Sequence, residues 1–276
     1  MVDQLMDVIL AYVNRHKIVL TDRNRRVQPK TVNLHWWSMF GTKQNVGDYL
    51  STVVVDYMTK YYHLASEPSL KKTQHLYAIG SIIDGGYQNA TIWGSGLLRG
   101  NNNYWWTRFR RLDVRCVRGP LTRETLLRCG YLCPECYGDP AVLMPLIYMP
   151  DVTMKDSDYL VVQHFSCAHQ SSSNSLSPLT DNWKNFIDRI VKTKLVISSS
   201  LHGIILAEAY GIPAILLRHD MNMFKYNDYY YSTGRKDFPI AASVEEALQM
   251  QPAPLPDLKP LQEALISSFP KDLWAD

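Results

Sequence analysis

The sequence predicts an α/β protein with two layers of parallel strands, and three observations carry that prediction. Short apolar runs recur along the chain and stop at Gly/Ser turns, as at Gly80-Ser81 and Gly94-Ser95-Gly96. Helical segments alternate with these runs, which is the pattern of βαβ units and parallel sheets. A proline-marked stretch from Pro145 to Ser157, including Pro150, separates two such series.

The clearest unit is Lys194 to Arg218, which reads as strand, turn, helix, turn and strand. Leu195-Val196-Ile197 is a short apolar run suited to a strand buried on both faces. Ser198, Ser199 and Ser200 follow, and each is able to cap a helix. Leu201 to Tyr210 is apolar on more than one face, as in a helix packed inside a layer. Gly211 suits the left-handed C-terminal position, Pro213 prevents continuation, and Ala214 to Leu217 forms the second strand. In such a unit ligands sit beyond the strand C-termini, at helix N-termini that favour anions. His202 lies there. Taken alone, this stretch leaves two readings of His202: a packed helix-start histidine, or a group that moves protons beside a bound anion.

The other elements follow in order. Residues 3–16 have apolar residues at near-helical spacing, and Asp22 to Lys30 is a polar, basic connector. Its Arg23, Arg25, Arg26 and Lys30 are either a solvated face or a contact for anionic lipid headgroups. Val32 to Trp37 is the first strand, and a polar loop from Gly41 to Asp48 leads into a helix from Tyr49 to Tyr61. Leu76–Ile79 and Ala90–Trp93 are strands whose Gly/Ser turns imply backbone held close to a ligand or a packed element. Neither turn completes a dinucleotide fingerprint. Leu112 to Val117 is a fourth strand, followed by a helix opened by Pro120 and stopped by Gly130. Tyr137 to Met144 reads as a turn and a short apolar segment. Tyr159 to His164 begins the second series, and Ser171 to Ser177 is a Ser-rich loop. Trp183 to Lys192 reads as a helix and Phe224 to Tyr231 as an aromatic loop. Ser243 to Met250 and Leu261 to Phe269 read as helices on either side of a proline-rich connector. The resulting division is residues 1–31 as an N-terminal extension, 32–152 as a first unit and 153–276 as a second.

At 276 residues the chain is large enough for one large domain or two smaller ones. Its net charge of +3 and pI near 8.5 fit an anionic small ligand and are too weak to argue for nucleic acid. No apolar run approaches the roughly 18 residues of a transmembrane helix. Met1 to Lys17 contains Asp3 and Asp7 and lacks the apolar core of a secretory signal. The odd number of cysteines, 5, forms no secreted framework. A cytoplasmic protein with reduced thiols is the expectation.

Cys129-x-x-x-Cys133-x-x-Cys136 matches the cluster-binding spacing of radical SAM enzymes. Its place in mid-chain and Glu135 before the third cysteine argue for ordinary thiols, and a zinc site lacks an evident fourth ligand. Arg118 leaves a strand end and enters a helix N-terminus, where a guanidinium and free N–H groups together suit an anion. Asp48 either caps a helix or meets ligand hydroxyls and protons. His164 ends a strand and is either buried or faces a cleft. Tyr229, Tyr230 and Tyr231 form either an aromatic interface or a wall on which a sugar stacks.

Six motifs appear in one order: Asn45-x-Gly-Asp48, Trp93-Gly-Ser-Gly96, Val117-Arg-Gly-Pro-x-Thr122, Gly138-Asp-Pro140, Ser198-Ser-Ser-Leu-His-Gly203 and Lys225-x-x-Asp-Tyr-Tyr230. In that order the chain resembles the bacterial polysaccharide pyruvyl transferases, especially those near the succinoglycan branch, over about Val32 to Gly234. The resemblance implies a GT-B-like fold, two Rossmann-like domains with parallel sheets facing across a cleft. It implies phosphoenolpyruvate as donor, a pyruvate ketal placed across two hydroxyls of a sugar, and release of phosphate without metal or organic cofactor. The implied acceptor is a cell-surface glycan or its lipid-linked precursor. That places the protein in the cytoplasm, with peripheral association at the inner face of the membrane.

By the same resemblance His202 is the acid/base, with Asp48 and Arg118 completing the catalytic set. Arg118, Ser199, Ser200, Leu201, His202, Gly203 and Lys225 would bind the donor. Asn45, Asp48, His164 and Tyr229 would bind the acceptor. Ser200 stands where several relatives carry arginine, so a phosphate clamp would fall to Arg218, Lys225 or Lys43. The alternative reading is a nucleotide-sugar glycosyltransferase, suggested by Glu208-Ala-Tyr-Gly-Ile-Pro213.

Overall fold

The computed structural model describes residues 32–37, 44–64, 74–85, 89–100, 110–151, 154–167, 174–219 and 222–274. The helix expected at 3–16, the basic connector 22–30 and Lys43 lie outside them.

Two parallel sheets form. The first has strands β1 (Val32–His35), β2 (Gln74–Tyr77), β3 (Ala90–Trp93) and β4 (Leu112–Cys116) in the order β1-β2-β3-β4. The second has β5 (Leu160–Val162), β6 (Ser175–Leu176), β7 (Val196–Ser198), β8 (Ala214–Leu217) and β9 (Ile240–Ala241) in the order β6-β5-β7-β8-β9. Every pairing is parallel, with β7 and β8 in register at Val196 with Ala214 and Ile197 with Ile215. Parallel strands are covered by helices on their faces, which is why β3 and β7 are buried at every residue.

Helix α1 (Val46–Tyr61) starts three residues before the sequence pattern suggests, because Asn45 and not Asp48 is its cap. Asn45 Oδ1 accepts from Gly47 N at 3.2 Å. Val46, Leu50, Val54 and Met58 form its apolar stripe at a four-residue spacing and are almost fully buried. Each contributes roughly 1.5–3 kcal/mol of transfer free energy before entropy is counted. Ser51 Oγ accepts from Ile79 N at 3.2 Å, which ties α1 to the turn after β2.

Helix α2 (Pro120–Arg128) has proline in its first turn. A short 3-10 helix (Pro140–Leu143) runs directly into α3 (Met144–Ile147), inside the stretch read as turn and linker. Its Ala141, Val142, Leu143 and Met144 are fully buried. They belong to a single apolar core that also holds Leu50 and Val54 of α1, Leu76 and Trp93 of the first sheet, and Val162, Val196 and Ile204 of the second half. The two sheets are thus joined by a packed strut.

In the second half, α4 is Trp183–Val191 and α5 is Leu201–Ala209. Leu201 through Glu208 are all buried, as the all-round apolar pattern of α5 requires. Phe224–Ser232, read from sequence as a loop, is a helix, α6. Its composition is poor in strong helix formers, and tertiary ties hold it instead: Tyr229 donates to Glu208 at 2.7 Å and Tyr230 stacks on Phe238 at 3.7 Å. Helix α7 (Val244–Ala247) is capped by Ser243, which accepts from Glu246 N. Helix α8 (Lys259–Ser267) returns to the first half, where Leu265 O accepts from Trp93 Nε1 at 2.9 Å and Ile266 O accepts from Tyr62 OH at 2.6 Å. Among the described residues no helix is long and apolar enough to cross a membrane.

Candidate active site

Three helix starts converge beyond the strand C-termini: α1, the 3-10 helix and α5. Each delivers one titratable side chain, respectively Asp48, Asp139 and His202. Val46 N donates to Pro178 O at 2.8 Å, so the start of α1 is held by a loop of the second half. Gly47 then lies against the imidazole so closely that a Cβ there would stand 2.0 Å from His202 Nδ1. Any side chain at Gly47 would displace the histidine.

Asp48 lies in the first turn of α1 and is 7% exposed. Gly80, at φ +111°, brings its backbone against the carboxylate, and a Cβ there would stand 2.5 Å from Oδ1. Only glycine takes that conformation without strain. Burial is the main reason that the Asp48 carboxyl is pushed up to about 6. Nearby His202 lowers it, the Asp139 carboxylate raises it, and the Lys225 ammonium lowers it. Asp48 is therefore a carboxyl that changes charge close to neutral pH.

His202 is the second residue of α5 and is 8% exposed. Its Nε2 faces Asp139 Oδ2 at 3.6 Å, just beyond hydrogen-bond reach. Both atoms are sealed from solvent and neither has a hydrogen-bond partner. Gln44 Oε1, one residue before the α1 cap, is a third such buried atom. Buried polar atoms are normally paired. Trp36 Nε1, Arg110 Nε and Nη1 and Tyr230 OH are also without a partner, but among the described residues only His202 Nε2 and Asp139 Oδ2 face each other as an unbonded pair. Ser200, the N-cap of α5, makes no side-chain cap bond, so no side chain covers the first-turn N–H groups from that position. Ser198 Oγ accepts from Ser200 N at 3.0 Å, and Ser199 Oγ accepts from His164 N at 2.7 Å. Gly203 packs against Ser198 Oγ and Val162, which seats α5 on the sheet.

The structure thus brings Asn45, Asp48, Ser199, Ser200, Leu201, His202 and Gly203 to one place. Lys225, half-buried on α6 with its Nζ 4.8 Å over the Tyr226 ring, acts electrostatically on Asp48. His164 lies just beyond β5, stacked at 4.3 Å on His219 and tilted at 4.3 Å against Phe165, whose ring lies 5.0 Å from Trp37.

Two expected site residues do other work. Arg118 is fully buried, and each of its three nitrogens donates within the protein: Nε to Asp228 Oδ2 at 3.0 Å, Nη1 to Ser81 Oγ at 2.6 Å and Nη2 to Leu97 O at 2.7 Å. Gly96 has no Cβ because the guanidinium lies there. Asp228 also accepts from Thr122 N at 2.9 Å and Thr122 Oγ1 at 2.6 Å. The Val117-Arg-Gly-Pro-x-Thr122 and Lys225-x-x-Asp228 motifs therefore form one lock between α2 and α6. Tyr229 is not a wall of the site either: it is fully buried, bonded to Glu208. Glu208, the residue behind the glycosyltransferase alternative, is held bidentately by Arg235 at 2.6 and 2.7 Å. It sits near the C-terminal end of α5, away from the converging starts.

Gly138-Asp139-Pro140 is one of the six motifs behind the family resemblance, but the sequence assigns Asp139 no role and reads its surroundings as a turn. Its one local signal is an acid before proline at a glycine turn, and Gly138 does take φ +151°. Its Oδ1 accepts from Ala141 N at 3.1 Å, capping the 3-10 helix.

The model of the family described as polysaccharide pyruvyl transferase matches residues 45–221. That range takes in Asn45 to Asp48, Arg118, Asp139 and Ser198 to Gly203 and ends before Lys225. The succinoglycan biosynthesis protein ExoV of Rhizobium meliloti (strain 1021) is 31% identical over 134 residues, a stretch that spans 44% of this chain and 41% of ExoV. The crystal structure of an uncharacterised protein from Klebsiella pneumoniae subsp. pneumoniae is similar with a TM-score of 0.47 at 17% identity, covering 79% of this chain and 93% of that one.

Proposed function

Since the chain belongs to the polysaccharide pyruvyl transferase family, we propose that it moves the pyruvyl group of phosphoenolpyruvate onto two hydroxyls of one sugar, in a cell-surface polysaccharide or its lipid-linked precursor. The observation that carries this reading is the placing of Asp48 and His202 together at converging helix starts. The proposed arrangement is GT-B-like, with the two sheets as Rossmann-like halves, the donor at the start of α5 and the acceptor on the side of α1. The setting would be cytoplasmic, with the enzyme meeting lipid-linked acceptor at the inner face of the membrane.

The reaction needs one proton on the enol methylene, attack of one hydroxyl on C2, departure of phosphate and closure by the second hydroxyl. The two hydroxyls release two protons, of which one becomes part of the new methyl group and one leaves with phosphate. The balance closes without redox change. A pair of acid/base groups is what this sequence of steps requires. His202 is proposed to accept and return protons, and Asp48, charged or neutral according to pH, to serve the other transfer. The dianionic phosphate and the carboxylate of the donor need positive charge. Lys225 is proposed to supply it, because Arg118 spends its donors inside the protein and the exposed Arg218 has no described tie to the cluster. His164, His219, Phe165 and Trp37 are proposed as the ring surface for the acceptor, the role expected of Tyr229.

The test is incubation with phosphoenolpyruvate and a panel of sugars and lipid-linked oligosaccharides, with mass spectrometry of the ketal adduct and assay of free phosphate. The expected result is both products, with phosphate release cut about 10²- to 10⁴-fold by His202→Gln. Thermal stabilisation by nucleotide sugars alone, with no adduct, would overturn the reading in favour of a glycosyltransferase.

A further inference from the structure

We propose that Asp139 is the positioning residue of His202: it selects the imidazole tautomer that carries its proton on Nε2 and leaves Nδ1 as the nitrogen that exchanges protons with a ligand. This rests on the proposed function only in taking His202 to be an acid/base, and the geometry behind it stands independently.

Nε2 of His202 is sealed inside the protein, and so is the Asp139 oxygen that it faces. A ligand therefore cannot reach Nε2, and any proton exchanged with a ligand must pass through Nδ1. That nitrogen packs against Gly47, which has no Cβ because the ring occupies its place, and unlike Nε2 it is not among the sealed atoms without a partner. Nδ1 can accept a proton only if the neutral ring holds its own proton on Nε2.

The surroundings of Nε2 dictate that tautomer. Asp139 Oδ1 is taken by Ala141 N, and Oδ2 faces Nε2 at 3.6 Å. An ionised carboxylate accepts and does not donate, so a lone pair on Nε2 would face a lone pair on Oδ2 in a dry environment. A proton on Nε2 turns that repulsion into attraction. The 3.6 Å separation is long for a hydrogen bond, and a small ring rotation closes it. Contacts of this kind often tighten only once a substrate is bound. When Nδ1 takes up a proton the ring becomes a cation, and Asp139 is the nearest charge that stabilises it. Asp48 from α1 interacts favourably with a charged His202, and Lys225 from α6 acts on Asp48.

Asp139→Asn isolates this role from folding. The amide oxygen keeps the cap to Ala141 N, because Asn caps as well as Asp. The amide nitrogen then points a donor at Nε2 and demands a lone pair there, which moves the ring proton to Nδ1.

The test is ¹⁵N NMR of histidine-labelled protein at a pH where the ring is neutral, with the His202 signals assigned by their loss in His202→Gln. The wild type is expected to show the proton on Nε2, and Asp139→Asn to show it on Nδ1. Phosphate release by Asp139→Asn should fall about 10³-fold in kcat, with KM for phosphoenolpyruvate changed less than about threefold. A wild-type ring protonated on Nδ1 overturns the proposal without recourse to any variant. So does an Asp139→Asn protein that keeps kcat within about threefold of wild type. If the wild type releases no phosphate with any acceptor, the pyruvyl reading fails while the tautomer still decides the role of Asp139. If phosphate is released but the proton sits on Nδ1, only the role of Asp139 fails.

Discussion

Arg118 and Asp228 are sealed from solvent, and Asp48, Asp139 and His202 are nearly or wholly so, yet the two clusters are satisfied to opposite degrees. In the first, each guanidinium nitrogen and both carboxylate oxygens have partners at 2.6 to 3.0 Å. In the second, Asp139 Oδ2 and His202 Nε2 face each other unbonded, and burial has shifted the charge change of Asp48 toward neutral pH. Both clusters lie where helices begin beyond strand ends, so position alone does not tell them apart. The degree of pairing does. A fully paired charge set fixes where elements sit, and a partly paired one holds groups whose charge is able to change.

The largest expected effect breaks the paired cluster. Asp228→Ala leaves the Arg118 guanidinium buried without its counter-charge and strips Thr122 of its acceptor. A loss of about 3–5 kcal/mol in denaturant-derived stability is expected, since removal of one partner of a buried pair is far more costly than the pair is worth. A loss below about 1 kcal/mol would show that the lock is not structural.

The next effect has the opposite sign. The Asp48 carboxyl titrates at about 6 in the folded protein and at 3.8 as its ordinary value. Between those values the folded state holds more protons than the unfolded state, so stability falls as pH rises from about 4 to about 6 and is level above. The neutral isostere Asp48→Asn removes that slope. It should raise stability at pH 7 by up to about 3 kcal/mol while abolishing phosphate release. Equal stability of the two proteins at pH 4 and pH 7 would remove the contrast between the clusters.

The smallest of the three sharpens the geometry. Gly47→Ala pushes the His202 ring aside to make room for one methyl group, at about 1–3 kcal/mol of overpacking. Activity should drop with the ring displaced, and in a crystal structure of the variant the Nε2 to Oδ2 distance should differ from 3.6 Å.

The same contrast explains what could be read from the sequence. The β7–α5–β8 unit was legible nearly to the residue, because strand, caps, Gly211 and Pro213 are local signals. The parallel sheets followed from the alternation of elements. The position of His202 and Asp48 at helix starts beyond strand ends was legible because loops at strand ends lead into helices in this architecture. Arg118 was read as an anion clamp because a strand-end arginine entering a helix looks the same whether its partner is a ligand or Asp228. The partner comes from the helix at Phe224–Ser232, which local propensity does not announce. Tyr229 failed for the same reason, since its burial depends on Glu208 and Arg235. Asp139, though part of a motif quoted for the resemblance, received no role because its turn and cap are ordinary and its meaning lies in a histidine brought near only by the fold.

The return of α8 to the first sheet bears on how the protein is made. Trp93 completes its hydrogen bond with Leu265, Tyr62 with Ile266, and Phe269 packs edge-on against Trp93 at 4.9 Å. The first sheet is translated early, but its core stays open on that side until residues beyond Phe269 have left the ribosome. During that interval its apolar surface is exposed in the cell, in the state in which unfinished domains aggregate or recruit chaperones. The early half lacks these contacts by itself, and the start of α1 gains its bond to Pro178 only when the second half, with His202, already exists. The protein is thus expected to assemble the cluster of Asp48, Asp139 and His202 in one late step and not sheet by sheet.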